Sequence, residues 1–504
     1  MHEDLLTEEV LNPTSPALAK IQNFTGTYPK QLWALAFTEM WERFCFYGNR
    51  ALLTVFMAKH LMMSDGDANL KYGSIQAFVY AFTFIGGLFA DKILGFKKSL
   101  LWGGLLMILS SLLLFINPET LFFPGICLLI IGTGFFKPNI STMVGELYKT
   151  GDARRDAGFG LFYSFINIGA LFAGIVCVWA YEHYGANVSF GLSGLFMAIG
   201  LFVFLITKKD LGPIGNVPAH IAKSGNGKKY EWLVYLGSVL VLPIVYLLIT
   251  NTKYTDLFMY IIGPATLIYL FIEMRKYTMA EQKKLWAALI FIFFSIFFWA
   301  FFEQSGGSLN LFAADNLHRN LLGFTISPLI VNNASNAFFV ILFSPILGLA
   351  WVALAKKKLE PNGVIKFGIA FLFLALAFYI FYYTKFFADT QGKTSLNVFT
   401  LAYFVITFGE LALSPIGLSL MTKLSPKPLW GVMMGMWFLA SAYGQYVAGI
   451  LGAGMSSANP NETLLVKLAT YCAGYKQLAI YALIAGIILI IISPVIRKLM
   501  QEVK

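Results

Sequence analysis

Charge is what this chain has least of. Asp, Glu, Lys and Arg make up 12% of its 504 residues, against about 25% in soluble globular chains, which excludes an ordinary water-soluble domain. Cysteine is scarce too. Cys45, Cys127, Cys177 and Cys472 all fall in or beside apolar runs, without CxxC spacing or a disulfide framework, so they read as small buried hydrophobes. None of His2, His60, His183, His220 and His318 lies in the middle of an apolar run, and no HExxH, GxSxG or His/Cys ligand group is present. A membrane hydrolase or acyltransferase needs such a nucleophile, base or metal cluster. The expectation is therefore a chain that is not an enzyme and holds no metal and no cofactor. The first residues, "MHEDLLTEEVLNPTSPALAK", are acidic and polar and lack the basic and apolar regions of a cleaved signal peptide.

What the chain does have is apolar length. Hydrophobic residues make up 58% of it, the mean hydropathy is +0.70, and runs long enough to cross a ~30 Å hydrocarbon core recur throughout. They predict spans at 31–58, 73–93, 98–117, 121–147, 157–181, 188–207, 231–250, 256–274, 285–313, 326–355, 364–384, 395–422, 429–454 and 476–496. The formal charge is +11, and about 26 of the 37 Lys and Arg residues fall in alternate loops and the two tails, as the positive-inside rule requires of cytoplasmic loops. Both termini are then expected in the cytoplasm, and the basicity reports topology, not a nucleic-acid partner. The longest polar linker, "KKDLGPIGNVPAHIAKSGNGKKY", precedes the central pair of spans. The expected division is a tail (1–30), a six-helix bundle (31–207), linkers with two extra helices (208–283), a second six-helix bundle (284–499) and a tail (500–504). Two six-helix halves are the pattern of major-facilitator transporters, and "GGLFADKILGFKKS" at 86–99 resembles their loop signature.

The first span carries "EMWERFCFYGNR". At 100° per residue Glu39, Glu42, Arg43, Phe46, Tyr47 and Arg50 share an arc of about 140°, so all four charges sit on one stripe. An ionised group at a helix centre costs roughly 2.5–3.5 kcal/mol on insertion scales, and such residues are functional by default. Glu39 and Arg43 form an i,i+4 pair in the favourable order. Lys137 in "GTGFFKPNIS", Glu303 in "FFWAFFEQSGGSLNLF" and Glu410 in "ITFGELALSPIGLS" complete the inventory of charges inside spans. Acids of both halves face cations of the first half, an asymmetry suited to a gate made of ion pairs, and the excess carboxylate suits a proton carrier. Gly306 and Gly307 after Glu303, and Pro138 and Pro415 in their spans, suggest broken or bent helices lining a cavity; close helix packing accounts for the glycines equally well.

"EMWERFCFYGNR" resembles the E-x-x-E-R-F-x-Y-Y-G-x-R signature of the proton-dependent oligopeptide transporter family, with Phe46 in place of the first tyrosine. "GTGFFKPNIS", "FYSFINIGALFAG", "WAFFEQ" and "FGELALSPIGLS" are similar to its further signatures, in the same order. The resemblance implies a multi-pass protein of the cell membrane, in a bacterium the inner membrane, that imports di- and tripeptides with protons and draws on the proton gradient. It also implies roles. Arg43 and Lys137, with Tyr47 beside them, hold the peptide carboxylate; Asn167, Asn336 and Glu410 receive the amino terminus. Tyr80, Trp299, Phe301 and Trp437 line side-chain pockets, and Ser414 joins the substrate site. Glu39, Glu42, Arg43 and Glu303 couple protons. Arg50, itself near substrate, gates with Asp315 or Glu303 as partner, alongside Lys137 and Glu410. The second span has Gly73 where animal members carry a proton-linked histidine, so coupling here rests on carboxylates. The alternatives are a relative that carries nitrate or another organic anion, whose members tend to lose the acid–acid–arginine motif, and a peptide receptor that does not transport. Peptide preference, proton stoichiometry and oligomeric state stay open.

Overall fold

The starts of the helices are written in the loops before them. In the computed structural model, which describes residues 16–413, 420–421, 423–456, 459 and 462–501, the chain forms α1 (Pro16–Gln22), α2 (Lys30–Lys59), α3 (Asp65–Phe89), α4 (Phe96–Ile116), α5 (Pro118–Glu146), α6 (Arg154–Tyr184) and α7 (Ala186–Thr207). There follow a short α8 (Ala219–Lys223), α9 (Gly227–Leu240), α10 (Leu242–Thr250) and α11 (Thr252–Met274). Then come α12 (Met279–Phe302), α13 (Ser308–Asn316), α14 (Pro328–Lys356), α15 (Gly363–Tyr383), α16 (Leu396–Leu413), α17 (Trp430–Gly454) and α18 (Leu464–Met500). Asn117 accepts the Thr120 N–H ahead of α5, with Pro118 at the first helical position. Thr278 and Glu281 form a reciprocal cap on α12, and Thr463 accepts the Val466 N–H ahead of α18. These are the polar starts that satisfy orphan amides.

Among the described residues, twelve helical stretches are long and apolar enough to cross a membrane. α2 and α17, of 30 and 25 residues, match them in length. Two helices begin two turns or more before the predicted span: α3 at Asp65 instead of 73, and α18 at Leu464 instead of 476. Both early turns carry charged residues that hydropathy reads as loop. α5 runs unbroken through Pro124 and Pro138, whereas the helix carrying Glu303 is interrupted. α12 stops at Phe302, a 3-10 turn covers Glu303–Ser305, and α13 resumes at Ser308.

The chain divides into two compact units, Met1–Arg50 with Phe78–Leu247, and Ala51–Ala77 with Leu248–Lys504. The boundary cuts α2 and α3 in mid-helix, so the hairpin 51–77 belongs by contact to the second unit, although by sequence it lies within the first predicted bundle. The extra helices do not form a separate body either. α9 lies in the first unit, where Trp102 Nε1 donates to Ser238 Oγ at 3.0 Å and its ring packs on Tyr235 at 4.7 Å. α11 lies in the second, where Tyr446 OH donates to Asp256 Oδ1 at 2.5 Å and Tyr443 OH to the Met259 carbonyl.

In the first unit α4 packs on α5 and α7, and α6 on α7. A Cβ at Gly103 would stand 2.5 Å from the Gly132 carbonyl, so α4 and α5 meet at backbone distance. Beside that crossing Ser99 Oγ donates to the Phe135 carbonyl at 2.9 Å and Asn139 Nδ2 to Ser99 Oγ at 2.7 Å. Small residues with interhelical hydrogen bonds are what hold helices together in lipid, where hydrophobicity offers little. The loop signature closes α3 with a π turn, Ala90–Leu94, and Lys97 Nζ donates to the Gly212 carbonyl at 2.6 Å and Asn216 Oδ1 at 2.9 Å. In the loop before α6, the Arg154 guanidinium bonded to Asp152 holds that carboxyl below the usual carboxylate range.

In the second unit α15 packs on α16 and α18, α12 on α17, and α14 on α16. The break between α12 and α13 falls where α3 crosses: a Cβ on Gly306 would overlap the Tyr72 phenol, and one on Gly307 would lie 2.7 Å from Asn69 Oδ1.

Candidate functional site

α2 presents two faces. Its apolar side packs Trp41 flat on Phe196, ring centroids 4.5 Å apart, and Phe44 against Ala173 and Cys177. Its other side carries the predicted charges, and Glu39, Glu42 and Arg43 are all buried. Arg43 Nη2 donates to Glu42 Oε1 at 2.5 Å and Nε to Glu42 Oε2, while Nε lies 3.2 Å from Glu39 Oε1. One guanidinium thus serves two carboxylates, the bidentate geometry that suits arginine better than lysine. Glu39 Oε2 receives no hydrogen bond among the described groups, which leaves one buried oxygen able to take a proton. Gly169 on α6 is what lets this stretch come close: a Cβ there would overlap the Met40 carbonyl and stand 3.2 Å from Arg43 Cβ.

Around this cluster the cations lie over aromatic rings. Arg43 sits 5.1 Å from the Phe46 ring centre, Arg50 5.8 Å from that of Tyr47, and Lys137 4.6 Å from that of Tyr80. Such contacts ease a cation in a desolvated place without neutralising it. Phe46 therefore still faces the guanidinium although it lacks the family's hydroxyl. Asn167, on α6, is buried and donates to the Tyr163 carbonyl one turn earlier at 2.9 Å.

In the second unit Asn336 Nδ2 donates to Glu410 Oε2 at 2.8 Å and lies 3.3 Å from Thr407 Oγ1. Glu303 is buried at the helix break, and Phe301 and Trp437 are buried on α12 and α17. Trp299 meets α17 at Gly444, where a Cβ would lie 2.7 Å from that of Trp299. Ser414 falls outside the described residues. Asp315, predicted as a gate partner for Arg50, bonds to two lysines: Lys59 Nζ at 2.5 Å and Lys467 Nζ at 2.9 Å. Lys467 also reaches Asp65 Oδ2 at 3.0 Å, which accepts a further bond from Tyr471 OH at 2.9 Å. This buried group was missed in the sequence because Asp65 and Lys467 lie in the early turns of α3 and α18, outside the predicted spans. Their acid and base at helix starts were the one available signal. Among the described residues no cluster of His, Cys, Asp and Glu is placed to hold a metal ion.

A many-helix membrane protein that buries acids and cations against one another on its spanning helices is a transporter by class. The sequence pattern of the POT family matches residues 97–465, and the chain belongs to that family. It is 34% identical to the peptide transporter YePEPT of Yersinia enterocolitica, over 94% of this chain and 96% of that one. It is 29% identical to dipeptide and tripeptide permease B of Xenorhabdus bovienii, over 94% and 97%. The crystal structure of a mutant peptide transporter POT in complex with alafosfalin superposes with a TM-score of 0.83 at 31% identity, covering 97% of this chain and 100% of that one. The fold is the all-α, major-facilitator type of these transporters, as the sequence led us to expect, and the protein is a multi-pass transporter of the cell membrane and not an enzyme.

Proposed function

We propose that the protein is a symporter that imports di- and tripeptides with protons by alternating access. The observation that carries this is the buried Glu39–Glu42–Arg43 cluster, two acids on one guanidinium with a carboxylate oxygen left over. A proton on either acid removes one claim on Arg43 and frees the guanidinium for a peptide carboxylate, so proton entry and substrate capture become one event. Lys137 supplies the second positive charge at that end. The Asn336–Glu410 pair offers an acid and an amide to the peptide's amino terminus. We assign Tyr80 in the first unit, and Trp299, Phe301 and Trp437 in the second, to contacts with varied side chains, because aromatic rings offer area and few directional bonds. Arg50, Asp315 and Glu303 are the groups we assign to gating. The intact acid–acid–arginine motif argues against a nitrate or organic-anion carrier.

Radiolabelled di-alanine uptake into proteoliposomes, with and without an inward proton gradient, tests the reading. Accumulation above equilibrium only with the gradient is expected. Uptake indifferent to the gradient, or none at all, overturns it.

A further inference from the structure

Thr54, Asn310, Asn332 and Tyr403 are all buried in the second unit, and none belongs to the site described above. Asn310, on α13, is a hub with every polar position filled. Its Nδ2 donates to the Ala51 carbonyl at 2.8 Å and to Thr54 Oγ1 at 3.1 Å. Its Oδ1 accepts from Asn332 and Asn333, each at 3.0 Å. Thr54 Oγ1 donates to the Gly306 carbonyl at 2.9 Å, and Asn332 Nδ2 donates to the Ser305 carbonyl at 2.9 Å. The carbonyls set free where the helix breaks after Glu303 are thus taken up by two side chains joined through one amide.

The chain of bonds continues. Asn332 Oδ1 accepts from Tyr403 OH at 2.6 Å. One turn on, Thr407 Oγ1 donates to the Tyr403 carbonyl at 2.8 Å, and Asn336 bridges Thr407 and Glu410. Residues 403, 407 and 410 are successive turns of α16, and 332 and 336 of α14, so the path follows two neighbouring helix faces. It ends on α2, at the carbonyl of Ala51 and the hydroxyl of Thr54.

We propose that this network is a coupling relay, in which Thr54, Asn310, Asn332 and Tyr403 are positioning residues that tie the carboxylate receiving the peptide's amino terminus to the helix break bearing Glu303. The proposal rests on the transport reading above. Each amide has one orientation that satisfies all its partners, so a change of hydrogen bonding at Glu410 is passed to the break as a change of partners and not dissipated as a small shift. Hydrogen-bonded chains with two discrete arrangements are one physical route by which distant sites influence each other.

The test compares two assays on the same proteoliposomes: proton-driven accumulation of di-alanine, and gradient-free exchange of di-alanine across the membrane. Thr54→Val and Asn310→Ala are expected to lower accumulation about tenfold while exchange stays within about threefold of wild type; the melting temperature holds for Thr54→Val and falls for Asn310→Ala, which leaves buried groups unpaired. Thr54→Ser, which keeps the hydroxyl, is expected to restore accumulation. The double variant is expected to be no worse than Asn310→Ala, as for two members of one path. Should Asn310→Ala fail to fold, Tyr403→Phe, which removes one hydroxyl and keeps the ring, decides in its place. Accumulation, exchange and melting temperature falling together, or none of them changing, overturns the relay. A wild-type protein without gradient-driven uptake defeats the transport reading itself, and the relay with it.

Discussion

Arg43 and Lys467 solve the same problem in different places. Each is a cation away from water that serves two carboxylates at once, Glu39 and Glu42 in one case, Asp65 and Asp315 in the other. Removing one member of such a group leaves an uncompensated buried charge, which costs about 3–5 kcal/mol. Lys467→Ala is therefore expected to lower the melting temperature of the purified protein clearly. Lys276→Ala, which breaks an exposed pair with Glu273, is expected to leave the melting temperature close to that of wild type. The first cluster has a functional prediction as well. Glu39→Gln or Glu42→Gln keeps the shape and removes the protonatable oxygen, so proton-driven uptake is expected to vanish while counterflow exchange persists. Full concentrative uptake by both variants would exclude these acids as coupling groups.

Among the elements, α2 is the one whose exact placement matters most, because its charged stripe is useful only if the helix is held in one rotation. The hold comes from α6, at Gly169. Gly169→Leu is expected to push α2 away at Met40 and Arg43 and to lower uptake by more than about tenfold, as overpacking of a tight crossing does. Gly160→Leu on the same helix is the control, since a Cβ at Gly160 has nothing within 4 Å; its uptake is expected to match wild type. The break between α12 and α13 was legible as Gly306–Gly307 beside a buried acid. That it serves a close approach of Tyr72 and Asn69 was not, since those residues lie more than two hundred positions away in sequence. The early starts of α3 and α18 were illegible for a related reason: hydropathy treats Asp65 and Lys467 as solvated, and only their mutual pairing lets those turns be buried.

On the scale of the molecule, contact rearranges what sequence order suggests. The hairpin 51–77 is counted with the later helices, and the two extra helices divide, α9 to one unit and α11 to the other. Residues at each join, Trp102 with Ser238 and Tyr446 with Asp256, give each extra helix a fixed attachment. The charge pattern makes a separate prediction about orientation. With Lys and Arg concentrated in alternate loops and both tails, a protease site added at either terminus is expected to be cut in inside-out vesicles and protected in right-side-out ones. Cleavage of one terminus in each vesicle type would mean an odd number of crossings.

The sequence alone determined that this chain lives in a membrane, that its first span is charged, and that the acids and cations of "EMWERFCFYGNR" share a face. Those properties follow from helical period and from the cost of placing ionised groups in hydrocarbon, both of which are local. Tertiary structure decided which acid meets which cation, that Asp315 belongs with Lys59 and Lys467, and that an amide on α13 gathers four hydrogen bonds from two other helices. Each of those pairings joins residues far apart in the chain. No local pattern encodes them; they exist only once packed helices have removed water and left each buried polar group to find its partner within the protein.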